Sequence, residues 1–171
     1  MPVFTPISHD QFVADVKALA AQIAVDPWMP AFLIGIGRGG LVPAVFLSHA
    51  TGLPSLSVDH STNVHDFSLG ALERLAARTR AGETLLFVDD INDSGATIGK
   101  LRDHLAAAGA TPGSIRFATL IDNIRSSQRV DYRARIIDRA ETKDWFVFPW
   151  EAVAPETSLE ADAAAMPERI A

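Results

Sequence analysis

Two short segments of this chain concentrate the side chains that do chemistry. The denser one is Val88-Asp89-Asp90-Ile91-Asn92-Asp93-Ser94-Gly95-Ala96-Thr97, three carboxylates within five residues followed by small and hydroxyl-bearing positions. Adjacent carboxylates at Asp89 and Asp90 suit vicinal hydroxyls or a hard cation such as magnesium. The small residues after Asp93 suit the opening of a helix, where unpaired backbone N–H groups and the helix dipole favour a phosphate. Ser94 and Thr97 add hydroxyl donors there. A helix cap with solvated charges accounts for one aspartate and leaves the other two unexplained. A nucleoside-triphosphate loop does not fit, because Gly95-Ala96-Thr97-Ile98-Gly99-Lys100-Leu101 has the wrong spacing and no Ser or Thr after the lysine.

The second segment is Gly35-Ile36-Gly37-Arg38-Gly39-Gly40. Gly35, Gly37 and Gly40 match G-x-G-x-x-G, and Asp59 falls where a dinucleotide-binding unit places its ribose-binding acid. Against that reading, Pro43 sits where the helix should begin cleanly, there is a single strand–helix–strand unit, and the chain is short for a dehydrogenase with a separate substrate domain. A plain tight turn is the bland alternative. The remaining reading is a glycine loop whose bare backbone approaches an anion, with Arg38 aimed at the same charge.

These segments need elements to hold them. Ala31–Ile36 and Thr84–Val88 are short, continuously apolar runs, the pattern of strands buried on both faces in a parallel sheet. Leu56–Asp59 and Ile115–Ile121 read as further strands, with short candidates at Arg135–Asp138 and Trp145–Phe148. Helices are expected from Ser8, whose spacing to Gln11 fits a capping box; over Leu41–Ala50, with Pro43 in the first turn; and over Ile98–Ala108, with Gly109 as its stop. Residues 60–81 read as a long, partly mobile excursion with a short helix over Leu69–Thr79. Loops of that length are usually functional or disordered. Strand and helix alternate, which argues for an α/β fold: a parallel twisted sheet flanked by helices, with ligands bound beyond the carboxyl ends of the strands. Residues 152–171 form an Ala/Glu-rich tail, one short helix or loose.

The chain has 171 residues, enough for one domain, with 48% hydrophobic and 21% charged residues and a net charge of −6. The acidic balance argues against a nucleic-acid partner. No apolar run approaches the ~18 residues of a membrane helix, so no membrane partner is expected. Cysteine is absent, which removes disulfides, thiolate zinc sites and cysteine nucleophiles. The N-terminus shows no basic-then-apolar signal, so a cytoplasmic location is the default. None of the five histidines pair at metal-ligand spacing. His60 and His65 fall in the long excursion, and the arginines at 125, 129, 133, 135 and 139 read as a solvated or interface face.

The Val88–Thr97 segment resembles the signature of the type I phosphoribosyltransferases. Gly37-Arg38-Gly39-Gly40-Leu41-Val42-Pro43 and Asp144-Trp145-Phe146-Val147-Phe148-Pro149-Trp150-Glu151 are most similar to the xanthine-guanine (hypoxanthine) branch. The resemblance spans about residues 31–151. It implies one phosphoribosyltransferase domain over 1–151, with a small C-terminal hood from about 122–151 joined by the N-terminal segment. It implies a purine-salvage transferase that moves the phosphoribosyl group of phosphoribosyl pyrophosphate to a 6-oxopurine and releases pyrophosphate.

By the same resemblance, Asp93, Ser94, Gly95, Ala96 and Thr97 cradle the 5′-phosphate. Asp89 and Asp90 hold the ribose hydroxyls, directly or through Mg2+, and Gly37, Arg38 and Gly39 grip the pyrophosphate. Asp93 and Arg38 are the catalytic residues, and Trp145 with Phe146 meets the base. A loop within 60–81 closes over the site, and a homodimer or homotetramer is implied. The family usually places a lysine where Asn123 stands here. An amide still donates to a carbonyl oxygen, without charge, and Asp122 is available to accept from a base N–H. That departure keeps two alternatives open: a transferase for a non-purine base, or a non-enzymatic regulator that binds phosphoribosyl pyrophosphate on the same fold.

Overall fold

The structure is a computed structural model and describes residues 3–59 and 65–165. Five strands make one all-parallel sheet: β2 (Phe32–Ile36), β3 (Ser55–Val58), β4 (Leu85–Asn92), β5 (Ile115–Asn123) and β6 (Tyr132–Ile137), in the order β3-β2-β4-β5-β6. Alternate residues of each central strand feed opposite cores. Leu33, Leu86 and Val88 pack with Phe12, Val16, Leu19 and Ile23 of α1 (His9–Val25) and with Ala44 and Leu47 of α2 (Gly37–Thr51). Ile34, Leu85 and Phe87 pack on the other face with Leu72, Leu75 and Ala76 of α3 (His65–Arg80) and Ile98, Leu101 and Leu105 of α4 (Ala96–Ala107). Covering both faces is why the strands read as unbroken apolar runs.

Ser8 caps α1 as its spacing predicts, accepting from the Gln11 backbone N–H at 3.1 Å. The reciprocal half of the box is redirected, because the Gln11 amide donates forward to buried Asp15. Asp15 in turn takes Arg135 of β6 at 3.0 Å, tying α1 to the sheet edge.

Three expectations change. α2 begins at Gly37 rather than Leu41, so the glycine segment is the helix's own first turn. Pro43 therefore lies in its second turn, where it removes the bond to the Gly39 carbonyl. β4 runs on past Val88 to Asn92, because β5 pairs with it that far (Asp89↔Thr119, Ile91↔Ile121, Asn92↔Asp122). The short helix expected over Leu69–Thr79 is present and longer, α3 from His65 to Arg80, so less of 60–81 is loop than expected; Leu72, Leu75, Ala76 and Thr79 hold it, all buried at helical spacing. His60 and the side chain of His65 lie outside the described residues.

A small second sheet was half legible in the sequence, its Trp145 strand expected and its N-terminal partner not. β1 (Phe4–Pro6) runs parallel to β7 (Trp145–Val147), pairing Phe4 with Trp145 and Thr5 with Phe146. A 3-10 turn at Pro149–Glu151 follows, and Trp150 stacks on Phe148 and meets Phe12 edge-on, so the end of this segment is anchored on α1. The tail forms α5 (Glu156–Ala165), with Ala163 fully buried. No helix among the described residues is long and apolar enough to cross a membrane.

Candidate active site at the carboxyl edge of the sheet

The chain leaves β2 for β3 on one side, then crosses back to β4 on the other. α2 and α4 therefore start on opposite faces, and a crevice opens where they diverge, the place where open α/β sheets bind ligands. Both chemistry-bearing segments border this crevice. At its β2 side, Gly37 (φ +54°) turns the chain into α2, whose N-terminus has no side-chain cap. Arg38 stands exposed there and makes no ion pair with a described residue.

Two glycines bring α2 against β4. A Cβ on Gly40 would lie 2.1 Å from the Val88 carbonyl oxygen, and one on Gly39 would lie 2.4 Å from Oδ2 of Asp90. A side chain at Gly40 would meet strand backbone and push the helix away, and one at Gly39 would displace the Asp90 carboxylate, so the first turn of α2 and that carboxylate share one wall of the crevice because both residues are glycine. Since β4 continues through the aspartates, Asp89 and Asp90 project to opposite faces. Asp90 turns to the α2 side. Among the described residues no group of three His, Cys, Asp or Glu converges as a metal site. Magnesium is commonly held by one or two carboxylates, with water and substrate phosphates completing its shell. One carboxylate at the crevice fits that arrangement and not a dedicated protein cage.

Past β4, residues Ile91 to Ile98 line a concave cradle at the N-terminus of α4. Gly95 (φ +87°) occupies the N-cap position without a side-chain cap. Behind it runs a loop that sequence reasoning missed. Ser127 donates through its N–H and its Oγ to the Ser94 carbonyl at 3.1 and 2.8 Å. Ser126 donates to Asn92 Oδ1 at 2.9 Å, and Asn92 donates to Asp122 and to the Gln128 carbonyl. The cradle is thus braced by residues over thirty positions away, with few local signals to reveal the pairing.

Beside the cradle lies a second cavity, lined by Asp90, Ile91, Arg139, Trp145, Phe146, Phe148 and Glu151. Ile91 belongs to both. Trp145 and Phe146, the residues expected to meet the base, are both in its lining. Asn123 does not line either cavity. Its Nδ2 donates to the Asp93 carbonyl and Oδ1 at 3.1 and 3.3 Å, and its Oδ1 accepts the N–H groups of Arg125 and Arg139 at 3.1 and 3.2 Å. Those bonds fill the amide's capacity and make it a clasp between β5 and the connection after β6. Asp122 is likewise turned inward, taking Asn92 and, at 3.8 Å, Arg133.

The cation that does reach Asp93 comes from an unexpected place. Arg139 forks onto its carboxylate, Nη2 to Oδ2 at 2.8 Å and Nε at 3.0 and 3.1 Å to the two oxygens, with both side chains buried. The turn that carries Arg139 is pinned by Asp138, which accepts Ala140 N–H and pairs with Arg125. That Arg125 contact holds the Asp138 carboxyl below its ordinary range. The other arginines of the run are also engaged within the fold: Arg133 with Asp122, Arg135 with Asp15 and Arg129 with backbone carbonyls. The solvated-face expectation holds for Arg125, Arg129 and Arg133, which stay exposed while making these contacts, and fails for Arg139, which is buried.

The sequence pattern described as the phosphoribosyl transferase domain matches residues 7–156. The chain belongs to the phosphoribosyltransferase family. A purine phosphoribosyltransferase from Pyrococcus horikoshii is 26% identical, covers 89% of this chain and 97% of its own, and superposes with a TM-score of 0.63. A hypoxanthine-guanine phosphoribosyltransferase from Bacillus anthracis is 25% identical over 77% of this chain and 80% of its own, with a TM-score of 0.59. The xanthine-guanine-hypoxanthine phosphoribosyltransferase of Helicobacter pylori shares the fold at 20% identity, covering 92% and 99%, with a TM-score of 0.66. Members of the family are pentosyl-transferring enzymes, and this chain has the type I fold.

Proposed function

We propose that the enzyme transfers the 5-phosphoribosyl group of phosphoribosyl pyrophosphate to a 6-oxopurine (xanthine, guanine or hypoxanthine) and releases pyrophosphate. One observation carries the reading: a helix-terminus cradle and an aromatic cavity meet at Ile91, with the Asp93–Arg139 pair between them. The 5′-phosphate sits over Ser94, Gly95, Ala96 and Thr97, at a helix N-terminus whose N-cap Gly95 offers no competing side chain and where only the long Ser94 Oγ contact to the Ala96 N–H would have to yield. The pyrophosphate lies against the first turn of α2 and Arg38. Asp90 faces the ribose hydroxyls.

The reaction breaks the C1′–oxygen bond to pyrophosphate and forms a C1′–nitrogen bond to the base. Positive charge grows on the ribose ring and negative charge on the leaving group. Arg38 and the α2 N–H groups oppose the latter in a fixed geometry. A magnesium ion carried with the substrate and held by Asp90 would neutralise more of that charge. The base lies in the cavity that Trp145 and Phe146 help to line, and Asp93 accepts the ring-nitrogen proton that the new bond displaces. Holding sugar and base in line supplies much of the rate.

Incubation with phosphoribosyl pyrophosphate, magnesium and a panel of bases tests this directly. Pyrophosphate release with an oxopurine is expected. Release only with a non-purine base, or with none, overturns the reading. Asp93→Asn is expected to lower turnover by roughly 10²–10⁴. It also destabilises the fold, because it leaves buried Arg139 without its charge partner.

A further inference from the structure

Arg139 has a feature that its pairing with Asp93 does not use. A guanidinium carries five N–H donors and no acceptor. The Nε–H and one Nη2–H go to Asp93, and the two Nη1–H groups go to the carbonyl oxygens of Thr142 and Asp144 at 3.2 and 2.7 Å. One Nη2–H is left without an acceptor among the described residues. It belongs to a side chain only 8% exposed that forms part of the wall of the aromatic cavity. The Phe146 ring lies 5.3 Å from the guanidinium carbon, so the group is packed as well as bonded. A buried donor without a partner is unfavourable, and a ligand atom that accepts from it recovers the loss.

We propose that Arg139 determines which base the enzyme takes: its remaining N–H donates to an exocyclic carbonyl oxygen of an oxopurine. Having nothing with which to accept, it disfavours an exocyclic amino group in the same place. This rests on the oxopurine reading and assigns the discrimination to one side chain. The fork to Asp93 and the two carbonyl bonds fix the guanidinium, so the donor is aimed before the base arrives.

The test compares wild type with R139Q and R139K. Binding of inosine 5′-monophosphate, adenosine 5′-monophosphate and ribose 5-phosphate is measured by calorimetry, alongside kcat/KM for hypoxanthine and adenine, with melting curves to follow folding. Wild type is expected to prefer the inosine nucleotide. R139Q, whose amide oxygen accepts from an amino group, is expected to lower the inosine-to-adenosine preference by about 10- to 100-fold while ribose 5-phosphate binding holds. R139K, which keeps only donors, is expected to retain the direction of preference even if R139Q does not fold. Loss of that direction in a folded R139K overturns the assignment. An unchanged preference in R139Q, with both nucleotides weakened equally, also overturns it, because Arg139 would then act on structure alone. If the wild type binds inosine 5′-monophosphate selectively and R139Q loses that selectivity, but neither releases pyrophosphate, the inference stands and the reaction falls. If the wild type turns over and the preference ignores R139Q, the reverse holds. A wild type that binds neither nucleotide sinks both.

Discussion

At the scale of single residues, the site depends on positions where nothing larger than glycine fits. Gly95 shows this best. Its φ of +87° is costly for any residue with a Cβ, and that Cβ would stand 2.6 Å from Ser127 Oγ, 2.7 Å from Ser126 Oγ and 2.8 Å from the Gln128 backbone nitrogen. The two hydroxyls can rotate away, but the backbone nitrogen cannot. Gly95→Ala is therefore expected to cost about 1–3 kcal/mol of stability. It should also raise KM for phosphoribosyl pyrophosphate more than KM for the base, since the cradle moves and the aromatic cavity does not. Urea unfolding and steady-state kinetics check both parts, and an unchanged unfolding midpoint would show that the loop at 126–128 gives way freely. The three aspartates and these glycines were visible from type and spacing alone. Arg139 was not, because an arginine among four others on a polar stretch carries no sign that it folds inward. Its role depends on the Asn123 clasp, and that clasp forms only after β5 and β6 have paired.

The elements divide the same way. Strands β2, β4 and β5 were legible because burial on both faces leaves an unbroken apolar run. The carboxyl end of β2 was legible too, but those of β4 and β5 were not, since polar Asp89, Asp90 and Asn92 continue β4 only through the ladder with β5. β1 is three residues long, and its partner lies about 140 positions away, so no local periodicity could have found it. That strand carries a functional consequence. Trp145 N–H donates to the Val3 carbonyl at 2.7 Å, Ile7 N–H to the Val147 carbonyl at 2.8 Å, and Thr5 Oγ1 to Asp144 at 2.5 Å. These bonds hold the strand that presents Trp145 and Phe146, and they touch nothing in the cradle. A chain beginning at Ile7 should raise KM for the base while KM for phosphoribosyl pyrophosphate stays within about twofold. Equal rises in both would mean that β1 supports the whole crevice and not the base cavity alone.

Across the whole molecule, the chemistry gathers at the carboxyl edge of the sheet and a separate ionic cluster closes the amino edge. There Asp26, at the end of α1, accepts the Trp28 backbone N–H at 2.7 Å, Arg116 at 2.6 Å and the Tyr132 hydroxyl at 3.0 Å. The Arg116 guanidinium also lies 4.7 Å over the Trp28 ring. The Trp28 N–H first, then Arg116 and Tyr132, hold the Asp26 carboxyl below its ordinary range, against a smaller opposing effect of burial. A carboxylate depressed in the folded state binds its proton more readily once unfolded. The stability it contributes is therefore complete above the unfolded pKa of about 3.9 and is lost as pH falls through the lower folded value. Asp138 behaves alike through Arg125 and adds to the same acid slope. Asp26→Asn removes one titrating group while keeping an oxygen for the Trp28 N–H. Its melting temperature should lie below wild type near neutral pH, fall less steeply in acid, and meet the wild-type curve at the lowest pH. Because the cluster is at the far end of the sheet from Asp93, kcat at neutral pH should not change. Parallel melting curves for the two proteins down to strong acid would show that Asp26 is not part of the acid-sensitive linkage.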